Sequence, residues 1–238
     1  MNIVIVGASK GLGRALLEGL GGAEDQVYGV ARKQPVGAVQ ASAGTVHWIE
    51  ADLSQPQQAV GVIAAGLPKV VDVLIYNLGL WEANAFADDY DFQQDDDLEI
   101  MTMVNSNVTA TILLIKRLMP KILASSRPRI ILTGSTSALR QSGRPEVTFG
   151  ATKTALNGIA DALREGYRAQ KLGVTTLQLG YLNTDDDLTV PVAEAARAGA
   201  GETIPVHDVV LMTKSLLQLS EASFVRELCL PAILDQRF

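Results

Sequence analysis

Residues 3–13 read Ile3-Val4-Ile5-Val6-Gly7-Ala8-Ser9-Lys10-Gly11-Leu12-Gly13. A short run rich in Ile and Val has the length of a buried strand. It ends in a cluster of three glycines, and Arg14–Leu20 then follows as a helical segment. The spacing is G-x-x-x-G-x-G. It is neither the G-x-G-x-x-G fingerprint nor a phosphate loop of the G-x-x-x-x-G-K-[ST] kind. The physics is common to all three. Glycine lets the backbone turn tightly and come close to a pyrophosphate, and the helix start offers free N–H groups and a positive dipole end. A glycine-rich turn placed directly after a first strand predicts a nucleotide site.

The rest of the chain repeats this alternation. Strand-length apolar runs occur at Val27–Ala31, Val46–Ala51, Val70–Tyr76, Arg129–Thr133, Val174–Leu179 and Val225–Leu230. They show little polar alternation, as expected of strands covered on both faces. Helical segments lie between them: Gln57–Leu67, Leu98–Leu118 ending before Pro120, Phe149–Gln170 and Asp208–Leu219. Strand–helix–strand order repeated in this way predicts a doubly wound, Rossmann-like parallel sheet of about seven strands with helices on both faces. No linker or internal repeat divides residues 1–238, so one domain is expected. The segments expected to be mobile are Trp81–Gln94 and Asn183–Glu202, the second a loop beyond a strand end, where ligands of such sheets bind.

Composition narrows the function. With 47% hydrophobic and 19% charged residues there is ample material for a core. A formal net charge of −6 argues against nucleic-acid binding, which needs a basic footprint. The single Cys229 excludes an internal disulfide and fits a reducing compartment. The opening residues lack a leader pattern, and no run is long enough to span a bilayer. A cytoplasmic protein with no membrane partner is expected.

The end of the second strand sets cofactor choice. An acidic residue there binds the ribose hydroxyl of NAD, whereas a basic residue accommodates a 2′-phosphate. Ala31-Arg32-Lys33 occupies that place, and Lys10 adds a charge from the glycine turn. These residues predict NADP(H).

Further motifs, taken in order, resemble the short-chain dehydrogenase/reductase family over nearly the whole chain. Gly7-Ala8-Ser9-Lys10-Gly11-Leu12-Gly13 is similar to the family's glycine motif, and Asp52-Leu53 to its adenine-side position. Tyr76-Asn77-Leu78-Gly79 resembles a drifted N-N-A-G motif, and Asn107 the helix asparagine. Leu179-Gly180-Tyr181-Leu182-Asn183-Thr184 resembles P-G-x-x-x-T. The resemblance implies a homodimer or homotetramer, a small carbonyl or alcohol substrate, and chemistry by an Asn, Ser, Tyr and Lys set. It also implies roles. Tyrosine moves the proton, lysine tunes it and holds the nicotinamide ribose, serine holds the carbonyl, and asparagine keeps a relay water. The threonine matched by Thr184 holds the nicotinamide carboxamide.

Lys153 matches the lysine, but the tyrosine position, four residues earlier, is Phe149. The serine position falls on Thr136, between Ser135 and Ser137. A phenyl ring can neither donate a proton nor stabilise an alkoxide. Four accounts follow. Another donor acts, such as Thr136, Ser135, Tyr181 or a lysine-bound water. The protein binds NADP(H) without turnover, as a sensor or partner subunit. Phe149 replaces an original tyrosine to trap a complex. Or another tyrosine takes the role, Tyr181 being the best placed.

The acidic run from Asp88 to Glu99 is read as solvated charge with a helix cap at Asp97 or a neighbour. Asp185, Asp186 and Asp187 lie on the loop that covers the substrate in the family. Neither run has a histidine partner, and no metal site is expected. His47 and His207 are expected to be structural or exposed, Trp48 a packing residue, and Trp81 a packing residue or a wall of the substrate site.

Overall fold

A computed structural model of the chain describes residues 1–35, 37 and 44–235. The elements run β1 (Asn2–Val6), α1 (Gly11–Leu20), β2 (Gln26–Ala31), β3 (Thr45–Glu50), α2 (Pro56–Gly66), β4 (Val73–Tyr76), α3 (Asp97–Val104), α4 (Ala110–Ile122) and β5 (Arg129–Thr133). Then follow α5 (Val147–Gly166), β6 (Gly173–Leu179), β7 (Leu182–Asn183), α6 (Val192–Ala198), β8 (Ile204–Pro205), α7 (Val206–Gln218) and β9 (Glu227–Leu230). Seven strands pair in the order β3-β2-β1-β4-β5-β6-β9, and each pairing is parallel. The four residues of β4, Val-Leu-Ile-Tyr, are all buried, as are those of β5 and β6. The edge strand β9 alternates instead, because only one of its faces is covered.

Helices cover both faces. One core joins β1, β4 and β5 to α2, α4 and α5 through Ile63, Leu114, Leu118 and Leu156. The other joins the opposite face to α1 and α7 through Leu16, Leu17, Val209 and Val210. The doubly wound Rossmann-like sheet expected from the sequence is the fold observed.

Several boundaries differ from the sequence expectation. The fourth strand begins at Val73 rather than Val70, and the last at Glu227 rather than Val225. The long helix does not stop before Pro120 but continues to Ile122. Pro120 and Lys116, whose carbonyl the proline cannot serve, are both exposed, where the missing bond costs less because solvent is within reach. That helix is also interrupted by a π-turn over Asn105–Thr109. The segment 183–202, expected as a loop, contains α6 and is framed by the β7–β8 pair. Its sequence Val-Ala-Glu-Ala-Ala-Arg-Ala is strongly helix-forming. In the 81–94 segment only Phe92–Gln94 is regular, a 3₁₀ turn. Asp96 caps α3 by accepting from the Leu98 and Glu99 amides, as anticipated for that acidic run.

Candidate active site

The strand order reverses between β1 and β4, and the glycine turn leaves the sheet at this switch point. Gly7 and Gly11 have φ of +80° and +53°, a region that glycine enters without steric cost. At Gly13 a Cβ would fall 1.9 Å from the Gly7 carbonyl oxygen, so α1 packs against the turn only because this residue is bare. No side chain caps α1, and its first backbone bond runs from Arg14 N to Lys10 O. The donors of Gly11, Leu12 and Gly13 therefore remain available to an anion at the dipole's positive end. These features fit a dinucleotide pyrophosphate.

Other expected cofactor residues converge on the same edge. Asn77 accepts from the Thr133 hydroxyl at 3.1 Å and ties the end of β4 to β5. A Cβ on Gly79 would sit 2.9 Å from Lys153 Nζ, so that glycine leaves the ammonium its space. Thr184 lies beside Gly11, with its methyl 3.4 Å from where a Cβ would stand. Gly180 donates to Leu230 O and packs against Pro231 and Ala232. Arg32, Lys33 and Lys10 are exposed, the first two directly after β2. Ser9 is half-buried in the turn, and Leu53 is buried while Asp52 stands exposed beside the Ser54 amide.

Phe149 and Lys153 occupy one face of α5, one turn apart. Lys153 is 4% exposed. Its Nζ donates to Thr133 O at 2.9 Å and lies 5.6 Å from the centre of the Phe149 ring. Loss of hydration lowers its pKa from 10.5 to about 8. Thr136 is buried in a 3₁₀ turn after β5. Ser135 caps that turn, its hydroxyl accepting from Ser137 N at 3.1 Å. Asn107 sits in the π-turn, a distortion that recurs at functional sites. Its side chain is fully used: it accepts from Leu80 N and donates to Leu80 O and Thr152 Oγ1. Its carbonyl takes the Thr111 hydroxyl at 2.8 Å.

Several residues here carried no local sequence signal. Glu82, 2% exposed, accepts from the Thr148 and Phe149 amides, each at 2.9 Å, and so caps α5 from a distant loop. Glu146, equally buried, accepts from Phe86 N at 2.9 Å. The second oxygen of each carboxylate is buried without a partner among the described residues. The Phe86 ring bridges Phe149 and Tyr181, edge-on to both, with centroids 5.5 and 5.4 Å away. Tyr181 accepts from Arg144 Nη1 at 2.6 Å, and Arg144 pairs with Asp235 at 2.9 Å with both side chains almost fully buried. Trp81, a possible site wall, is exposed and leans on Phe86. Trp48 packs on the α1 face, His47 stacks on Tyr28, and His207 contacts Val190 O. Asp186 and Asp187 are engaged within their own loop, by Asn183 and Thr189.

The chain resembles known proteins over most of its length. It is 26% identical to the uncharacterized oxidoreductase YvrD of Bacillus subtilis, covering 83% of this chain and 74% of that one. It is 24% identical to the 3-oxoacyl-[acyl-carrier-protein] reductase FabG of Escherichia coli, covering 85% and 81%. Among solved structures, a metagenomic short-chain oxidoreductase in complex with NADP superposes with a TM-score of 0.71 at 25% identity, covering 97% and 96%. A 3-oxoacyl-[acyl-carrier protein] reductase from Brucella melitensis shares the fold with a TM-score of 0.78 at 15% identity, covering 96% and 94%. From β1 to the start of α6, residues 1–192 match the short chain dehydrogenase family model, and to that family the chain belongs.

Proposed function

We propose that this chain is an NADP(H)-dependent oxidoreductase of carbonyl or alcohol substrates with an altered proton donor. It would work as one domain over residues 1–238, with its substrate loop around 183–202. The observation that carries this reading is the buried ammonium of Lys153, held at the ends of β4 and β5 against Thr133 O and Gly79, where burial pushes its pKa down to about 8. Carbonyl reduction needs a hydride on carbon and a proton on oxygen. A bound nicotinamide supplies the hydride. The proton falls to this chain's own groups, and Phe149 has none to give. Lys153 is poised near neutral pH, where an acid transfers protons best, directly or through a water. The Thr136 hydroxyl, in the turn after β5, is suited to hold the substrate oxygen, the role of the family's serine. Basic Arg32 and Lys33 after β2 favour a 2′-phosphate, and the NADP bound to the metagenomic relative agrees.

A second reading is supported by the Phe86 ring against Phe149: the protein binds NADP(H) and does not turn over. Titration with NADPH and NADH, followed by assays on the wild type and Phe149→Tyr, separates the two. The first reading expects tighter NADPH binding and slow turnover that falls above pH 8, as Lys153 loses its proton. It also expects Phe149→Tyr to raise turnover by about 10² to 10⁴. NADPH binding with no turnover in either protein favours the second. A preference for NADH overturns the cofactor assignment.

A further inference from the structure

The geometry points to a planar aromatic carbonyl compound as the substrate class, with the Phe86 ring holding its place. This rests on the carbonyl oxidoreductase reading and specifies the substrate side of the same site. Phe86 adopts φ +70°, a left-handed conformation that a bulky residue takes only when its surroundings impose it. Those surroundings are a buried carboxylate and two rings. Glu146 accepts the Phe86 amide, and the side chain meets Phe149 and Tyr181 at interplanar angles of 89° and 88°. Trp81 adds a third contact, with centroids 6.3 Å apart.

The walls of this slot belong to well-held elements, and the ring that fills it comes from an irregular loop. Phe149 belongs to α5, whose first turn is pinned by Glu82. Tyr181 is held at its oxygen by Arg144, whose guanidinium also lies 4.4 Å over the ring, and Asp235 holds Arg144 in turn. Phe86 lies on an irregular segment braced by short turns, Ala85 N to Glu82 O and Ala87 N to Asn84 O. Residue 149, where the family's acid stands, is only 6% exposed with this ring against it. A substrate that places its oxygen beside residue 149 would take the space of the Phe86 ring. Edge-to-face contacts pair the positive rim of one ring with the negative face of another. A flat aromatic ring reproduces both contacts that Phe86 gives up, whereas a saturated ring of equal size reproduces neither. Phe86 thus acts as a specificity-determining residue that competes with the substrate it resembles.

The test uses the full-length protein and two variants, Phe86→Gly and Phe86→Asn, both of which tolerate the left-handed backbone. Binding of acetophenone and of cyclohexyl methyl ketone is measured by ligand-observed NMR, and NADPH binding by fluorescence. The expected result is that acetophenone binds the variants about five- to tenfold more tightly than the wild type, and more tightly than it binds cyclohexyl methyl ketone there. Equal acetophenone affinity for variants and wild type overturns the proposal, as does equal affinity of the variants for the two ketones. Failure of this arm with NADPH binding intact removes the aromatic slot alone. Loss of NADPH binding in the wild type instead removes the oxidoreductase reading.

Discussion

Lys153 carries its ammonium to a place with almost no water, and the consequence is measurable without any substrate. Its folded pKa of about 8 lies below the ordinary 10.5 because burial penalises the charged form. Below pH 8 the residue is protonated in both folded and unfolded chains, and the full desolvation cost weighs on the fold. Between pH 8 and 10.5 the unfolded chain binds more protons than the folded one, so stability rises with pH in that window. The total change is about 3 kcal/mol. Comparison of wild type with Lys153→Met by denaturant unfolding, cofactor-free, should show the variant's advantage shrinking across this window. A constant difference from pH 7 to pH 11 contradicts the assignment. The same lysine was legible in sequence from its place four residues after Phe149, whereas its lowered pKa was not. That shift depends on burial between the end of β5 and Gly79, which no local pattern encodes.

At the scale of elements, α5 is the member that most needs help from elsewhere. Its N-cap residue is Glu146, whose own side chain makes no capping bond and turns instead to Phe86 N. Glu82, 66 positions from Thr148, supplies the acceptor. Asn107 reinforces the arrangement by gripping both backbone groups of Leu80 and the Thr152 hydroxyl, which ties the segment leading to Glu82 onto the helix. Removal of this cap leaves two buried amides unsatisfied. Glu82→Ala is expected to lower unfolding free energy by about 1–3 kcal/mol, and Glu82→Gln by less, since the amide oxygen can still accept. Equal losses for the two variants would show that the carboxylate oxygen is not what holds the helix. The first strand–helix unit shows the opposite economy. Its three glycines are local: the positive φ of Gly7 and Gly11 and the bare Cα of Gly13 follow from residue type, and sequence located them directly.

The whole molecule presents one surface that the sheet does not use. The helical stretch Asp97–Ile122 is, among the described residues, the one long and apolar enough by composition to cross a membrane, yet part of it packs on α2 and the sheet. Its apolar surplus points outward: Leu98, Met101, Val104 and Ile112 are between 40% and 68% exposed. Repeated three or four residues apart at their start, such side chains make a stripe suited to a second helix. The homodimer or homotetramer expected for the chain would cover this stripe with its counterpart in another copy. Light scattering should then report a dimer or tetramer for the wild type and a smaller species for Met101→Glu. A monomeric wild type removes the assembly.

Sequence alone determined what short-range physics dictates. The strands that became β1 to β6 and β9 were readable from strand-length runs rich in apolar residues, the glycine turn from its residues, and the parallel winding from their alternation with helices. Lys153, Asn107, Thr136 and the basic pair after β2 were placed by spacing and family resemblance. Only the tertiary structure decided what surrounds them. The helix continued past Pro120, whose exposed position lets solvent reach the carbonyl it leaves unserved. Glu82, Glu146, Phe86 and Arg144 entered the site because loops distant in the chain meet at one end of the sheet. A buried carboxylate finds its amide, and one ring finds another, through contacts between segments far apart in sequence, and only the folded arrangement fixes which segments meet.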